Sequence, residues 1–308
     1  MSAPPLPAQD AVAATTSYLS MRHITKRFPG VVALEDVSFD VHVGQVHGLV
    51  GENGAGKSTL MKIMSGIYVE YEGEMLLAGE PVRFRNTREA IDSGVAMIHQ
   101  ELNLVPELSV YENIFLGREH RTRLGTIDRR AMRQAADALM SRLGLDLDTS
   151  RPIERLRVSQ RQLVEIAKAL SLDTKVIVMD EPTSALSDSE VEYLFEVIRG
   201  LRDHDVAVIY ISHRLDEVYA ITDHITVLRD GRTAGEADPA ETPRRKLISM
   251  MVGRDLDVLY PKTPVDLGDE VLRVEGLTYQ QGRSRVLDDV SITVRRGEIV
   301  GVAGLMGA

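Results

Sequence analysis

The nine residues GENGAGKST, Gly51 to Thr59, have the types and spacing to hold a phosphate chain. In Gly51, Glu52, Asn53, Gly54, Ala55 and Gly56 the glycines let successive backbone N–H groups turn inward around phosphate oxygens. The helix expected to start at Lys57 adds its positive end. Lys57 supplies a point charge for the β- and γ-phosphates, and Ser58, followed by Thr59, offers a hydroxyl to magnesium. The blander reading is a tight turn with a surface lysine. The pattern G-x-x-x-x-G-K-[ST] between a strand and a helix favours the phosphate loop.

A second candidate is KVIVMDEP, Lys175 to Pro182, an apolar run ending in two acids. Strand ends of a parallel sheet face a common crevice, so Asp180 and Glu181 are expected beside the loop. Asp180 suits the magnesium side, through water, and Glu181 suits orienting or deprotonating the water that attacks the γ-phosphate. Alone, such a pair is more often a solvated strand end or a helix cap; the loop upstream reverses that balance in favour of the chemical reading. His213, after VIYIS, is by default an ordinary strand-end histidine. As a second polar group near the γ-phosphate it could orient the water or the transferred phosphoryl group.

Positioning these residues requires an α/β domain, and from Leu19 onward short apolar runs alternate with helical stretches. Strands are expected at Val46 to Val50, over KVIVM and over VAVIYIS, and a helix from Lys57 to Ser65 before Gly66. Gly73 to Val82 reads as a hairpin turning at Ala78 and Gly79, and HITVLRDGRTAGE as another turning at Asp230 and Gly231. Ile127 to Leu145 spaces apolar residues as an amphipathic helix does.

The chain has 308 residues, 44% hydrophobic and 27% charged, an ordinary globular composition. A net charge of -10 argues against gripping nucleic acid, although a local basic groove remains open. With no cysteine, disulfides and thiolate metal sites are excluded. The longest apolar strings fall far short of the roughly 20 residues that span a bilayer, so a soluble chain is expected. Residues 1–17, rich in Ala and Pro, read as a frayed tail rather than a signal peptide.

After Gly253 the texture changes, and 254–270 reads as a linker between a first domain over 18–253 and a second over 271–308. Leu34 to Ala55 aligns without gaps to Leu287 to Ala308, with ten of twenty-two positions identical. Chance gives about one or two matches, so a duplicated domain is expected. On that reading Gly304 to Ala308 corresponds to Gly51 to Ala55, and the chain is a fragment or truncated product of a tandem protein, broken inside the second copy's phosphate loop.

The order of phosphate loop, Gln100 after VAMIH, VSQRQLVEIAKAL, MDEPTSAL and YISH resembles an ABC-type nucleotide-binding domain. GENGAGKSTLMKIMSGIY and IHQELNLVPELSVYENIFLGRE resemble the tandem ATPase subunits of bacterial monosaccharide importers of the ribose, galactose and xylose type. The resemblance covers nearly all of Leu19 to Ala308. It implies an α/β P-loop NTPase fold, with a mixed-sheet core, an antiparallel β subdomain and an α-helical subdomain, working with ATP and Mg2+. It implies that Phe28 stacks on adenine, where the alternative is a core aromatic, and that Gln100 contacts magnesium and senses the γ-phosphate, where the alternative is a strand-end amide. Ser184 to Leu186 resemble the segment that crosses to an opposing domain, and ELNLVPELSVYENI the stretch where the transport channel docks. The implied partners are membrane-spanning permease subunits, through them a periplasmic or extracellular sugar-binding protein, and a second nucleotide-binding domain, all at the cytoplasmic face of the cell membrane.

Two departures stand out. Where such domains read L-S-G-G-Q, this chain has Leu156, Arg157, Val158, Ser159 and Gln160, with a bulky cation where small residues let a helix end approach phosphate. The second loop has Leu305 and Met306 where the first has Glu52 and Asn53. Both departures would fall on one composite site, leaving hydrolysis to the other, built on Lys57, Asp180 and Glu181. The alternatives to an importer ATPase are a soluble ABC-type ATPase unlinked to transport, and an ATP-binding fragment inactive without a partner domain.

Overall fold

The computed structural model describes residues 17–99, 103–172, 174–184, 186–254, 266–282 and 284–303. Gln100, Ala185, most of the expected tail and linker, and Gly304 to Ala308 lie outside the described residues. The chain divides into two compact units between residues 256 and 257.

The first unit holds ten strands: β1 Ser17–Phe28, β2 Val31–His42, β3 Val46–Val50, β4 Glu72–Leu77, β5 Glu80–Val82, β6 Val95–Ile98, β7 Val176–Asp180, β8 Ala207–Ile211, β9 His224–Arg229 and β10 Arg232–Ala237. Its helices are α1 Lys57–Met64, α2 Thr87–Asp92, α3 Val110–Ile114, α4 Arg129–Arg142, α5 Val158–Leu170, α6 Asp188–Asp203, α7 Leu215–Ile221 and α8 Arg244–Val252.

A six-stranded sheet in the order β10-β9-β3-β8-β7-β6 forms the centre, parallel except for the β9–β10 pair. Its middle strands are uninterrupted apolar runs, and every residue of β3 and β8 is buried, as in a parallel strand covered on both faces. One face packs on α1 and on an antiparallel sheet in the order β2-β1-β4-β5, through residues such as Leu49, Leu60, Phe39 and Met21. The opposite face packs on α5 and α6 through Ile166, Leu194, Ile198 and Tyr210. Each such large apolar side chain contributes about 1.5–3 kcal/mol when fully buried. A helical layer of α3, α4 and part of α5 closes over Ile114, Met132, Ala136 and Met140. This is the expected mixed sheet with an antiparallel β subdomain and an α-helical subdomain.

Local chemistry sets the boundaries. The helix expected over Ile127 to Leu145 is trimmed to Arg129–Arg142, because the Asp128 carboxylate caps the Ala131 N–H at 2.9 Å and Gly144 turns the chain out at φ 70°. The hairpin at Ala78 and Gly79 forms with φ 50° and 84°, the left-handed pair that a two-residue hairpin requires. Among the described residues no helix is long and apolar enough to cross a membrane.

The second unit is described as a two-stranded antiparallel ribbon, β11 Glu270–Gln281 with β12 Ser284–Arg295. It repeats the β1–β2 hairpin in detail. In the first hairpin Asp36, at φ 56°, donates its N–H to Thr25 Oγ1 at 3.0 Å, and the His23 N–H reaches Ser38 Oγ at 3.2 Å. In the second, Asp289 at φ 51° donates to Thr278 Oγ1 at 3.2 Å, and the Gly276 N–H reaches Ser291 Oγ at 3.0 Å. The two hairpins thus share an irregular backbone as well as sequence.

Candidate functional site

A cleft of about 480 Å3 opens where β3 runs into α1. Asn53, Gly54, Gly56, Lys57, Ser58 and Thr59 line one side, and Asp180 and Glu181, at the end of β7, line another. Parallel pairing of β3 with β8 and of β8 with β7 brings these strand ends to one edge of the sheet.

Gly56 is the N-cap of α1 with φ 104°, a conformation that disfavours any residue with a Cβ. A Cβ there would stand 2.6 Å from Leu34 Cδ2 and 2.8 Å from the Ala33 carbonyl. The backbone thus passes close against β2, with no room there for a side chain. The Lys57 ammonium bridges the loop, donating to the Gly51 carbonyl at 2.7 Å and the Glu52 carbonyl at 3.0 Å. Burial lowers its pKa, against the pull of Glu181 and Asp180.

Burial, and then the neighbouring Glu181 carboxylate, raises the Asp180 pKa, with His99, Lys57 and Lys62 opposing. Two adjacent carboxylates in a half-buried cleft thus repel each other and call for a cation. Glu181 holds φ 46° and donates its N–H to the Ile211 carbonyl at 2.9 Å, which fastens the end of β7 to the end of β8. Beyond β8, His213 Nδ1 lies 3.0 Å from Glu181 Oε1.

The structure thus gathers Lys57, Ser58, Asp180 and Glu181 around one space, with His213 joined to it through Glu181. Gly51 and Ala55 are buried beneath the loop rather than lining it. Phe28 is not among the lining residues and is no core aromatic either. It is half-buried, edge-on to Tyr68 at 5.3 Å between ring centroids, with Lys26 Nζ 5.1 Å from its centroid. Arg157 is exposed at the start of α5, and its N–H donates to Gln160 Oε1 at 3.1 Å.

Sequence reasoning missed two walls of the cleft. One is Val31 to Ala33 at the start of β2. The other is the Asp230–Gly231 turn, read above only as a turn: Gly231 donates its N–H to the Ala55 carbonyl at 3.2 Å and accepts from the Glu35 N–H at 2.7 Å. The signal was the left-handed pair itself, since a bare backbone at Gly231 also permits close approach.

The site fits a nucleotide phosphate chain: a glycine-rich loop, a helix N-terminus and a bridging lysine converge on it. For magnesium it offers the Ser58 hydroxyl and the Asp180 carboxylate. Among the described residues no group of three or more acids and histidines gathers to cage a metal. That donor set suits an ion taking its remaining oxygens from phosphate and water.

The ABC transporter family matches residues 34–184. The ribose import ATP-binding protein RbsA 1 of Rubrobacter xylanophilus is 52% identical over 290 residues, covering 94% of this chain and 57% of its own length. RbsA 2 of Streptomyces coelicolor, also named a ribose import ATP-binding protein, is 49% identical over 290 residues, 94% of this chain and 55% of its own. The chain therefore spans a little over half the length of these relatives. Among solved structures, an ATP-binding cassette of an ABC transporter in its ADP conformation superposes with a TM-score of 0.67 at 26% identity, over 80% of this chain and 98% of that one. A nucleotide-free cassette gives 0.67 at 24% identity, covering 80% of this chain and all of its own. With the phosphate cradle, the acidic strand end and the cassette fold in one unit, the chain carries, over residues 34–184, a domain similar to the ATP-binding cassettes of ABC transporters.

Proposed function

We propose that this chain is the ATP-hydrolysing component of a bacterial monosaccharide importer, working at the cytoplasmic face of the membrane as a peripheral subunit. The observation that carries the proposal is the convergence of Lys57, Asp180 and Glu181 on one cleft, with His213 against Glu181, in a chain about half identical to ribose import ATP-binding proteins.

In this reading the Gly51 to Thr59 backbone and Lys57 bind the triphosphate, and Ser58 and Asp180, with Gln100, hold magnesium. When bound, magnesium neutralises charge on the β- and γ-phosphate oxygens. Glu181 orients or deprotonates the attacking water, and His213 fixes the carboxylate that does so. Phe28, beside the cleft rather than in it, takes the adenine from the Val31 side. ATP closes this domain on a second nucleotide-binding domain, closure drives permease subunits docked near 101–114, and hydrolysis resets them. A sugar-binding protein outside the membrane delivers the substrate. The first unit over 18–253 is the complete domain of the pair, and 271–308 begins the second.

Turnover of ATP by the chain assembled with its permease subunits tests the proposal. Sugar-stimulated phosphate release that is lost in Glu181→Gln supports it; phosphate release unaffected by permease and sugar overturns the link to transport.

A further inference from the structure

Glu217, on α7, is 3% exposed and lines no part of the cleft. One of its oxygens, Oε2, accepts three hydroxyl hydrogen bonds: from Thr183 Oγ1 at 2.7 Å, Tyr210 Oη at 2.8 Å and Ser212 Oγ at 2.9 Å. The Arg214 guanidinium lies 2.6 Å from the other oxygen. The placement of these donors in the chain is the informative feature. Thr183 follows Glu181 by two residues, and Ser212 and Arg214 flank His213 on either side. Ser212 Oγ also accepts the Arg214 N–H at 3.0 Å. One buried carboxylate therefore ties together the two segments that carry the reacting pair.

Oε2 is filled by three hydroxyls and Oε1 meets the Arg214 cation as an ion pair rather than a hydrogen bond, so displacing any of these partners leaves buried charge less compensated and the node resists movement. Burial, and then the Glu217 charge, raises the Tyr210 pKa, so the phenol stays a donor throughout the working pH range. The neighbouring backbone shows why rigidity is needed. Glu181 sits at φ 46°, a conformation that persists only where the surroundings impose it.

We infer that Glu217 is a positioning residue for hydrolysis: by binding Thr183, Ser212 and Arg214 together it fixes the distance between the Glu181 carboxylate and the His213 imidazole. The inference rests on the proposed roles of Glu181 and His213. Glu217→Gln keeps the volume but turns one oxygen into a donor, which must face either the Arg214 guanidinium or the three hydroxyls. Thr183 and His213 are then released from a common anchor, and displacements below an ångström at a reacting pair cost large factors in rate.

The test measures ATP turnover and KM of the purified protein with Mg-ATP, alongside histidine-selective NMR of the same samples, with the His213 ring signal identified from His213→Ala. Glu217→Gln is expected to lower kcat by about 10–100-fold with KM within about twofold. The His213 ring signal should shift while those of His47 and His224 stay in place. Thr183→Val and Ser212→Ala, which each remove one hydroxyl, should shift the same signal and lower kcat less, and neither should add its full effect to Glu217→Gln. They keep the test open if Glu217→Gln does not fold. An unmoved His213 signal with unchanged kcat overturns the inference, and so does a general loss in which all histidine signals and KM change together. If the wild-type protein does not turn over ATP yet the His213 signal shifts in Glu217→Gln, the anchor stands and the hydrolytic reading falls.

Discussion

His213 Nδ1 lies 3.0 Å from Glu181 Oε1, with the histidine side chain 65% exposed and the carboxylate 24% exposed. The pair joins the segments just beyond the ends of two adjacent strands, β7 and β8. Removing the imidazole leaves the carboxylate free to rotate away from the attack position. His213→Ala should therefore lower steady-state phosphate release by about 10–100-fold, within the range for a positioned acid–base group. ATP affinity, set by the loop and Lys57, should stay within about threefold. Nucleotide titration beside a phosphate-release assay checks both.

Asp180 carries a stability cost in the protein without nucleotide. Its pKa is raised from 3.8, first by burial and next by Glu181. Between the unfolded and folded values the native state binds more protons, so stability falls as pH rises through that window and the cost persists above it. Asp180→Asn should raise Tm at neutral pH by about 1–2 °C, a small effect because the side chain is partly solvated. The gain should fade as pH falls through the raised native value and vanish below 3.8, where the carboxyl is neutral in both states. In saturating Mg-ATP the order should reverse, since the carboxylate then meets a cation. Thermal melts across pH, with and without Mg-ATP, measure all three effects.

Gly56 has no room for a side chain on either count, with φ 104° and a would-be Cβ 2.6 Å from Leu34 Cδ2. Gly56→Ala should cost about 1–3 kcal/mol in urea unfolding and weaken ATP binding at least tenfold, because the backbone must shift where it approaches phosphate. The same substitution at Gly54, where a Cβ meets nothing within 4 Å, serves as the comparison for crowding: it should show the strain of φ 85° without the clash.

Much of this site was legible in the sequence because its signals are local. The loop, the strand Val176–Asp180 and the turns at Ala78–Gly79 and Asp230–Gly231 depend on residues a few positions apart. What was not legible depends on tertiary placement. Val31 to Ala33 look like ordinary strand residues and line the cleft only because β2 passes beside Gly56. Glu217 is one polar position on a short helix, yet it is buried against two other segments, the turn after β7 and the end of β8. Phe28, given its adenine role by resemblance alone, has its ring against Tyr68 and Lys26, outside the cleft lining.

Asn113 holds the stretch proposed to meet the channel. Fully buried, it donates from Nδ2 toward the carbonyls of Val105 at 3.0 Å, Ser109 at 3.1 Å and Leu108 at 3.2 Å, and accepts the Val105 N–H at 2.7 Å. Asn113→Leu leaves the Val105 N–H unpaired, while the three carbonyls keep their backbone donors, and should cost about 1–3 kcal/mol. Urea unfolding checks the magnitude, and limited proteolysis should cut first between residues 103 and 109.

The central claim is that this cleft binds ATP and that Glu181 drives its hydrolysis. The most direct test compares wild type with Glu181→Gln for Mg-ATP affinity and steady-state turnover under identical conditions. The account predicts affinities within about threefold and turnover reduced by about 100-fold or more, the loss expected when a positioned general base is removed. Equal turnover in the two proteins, or no measurable ATP binding by wild type, would contradict it.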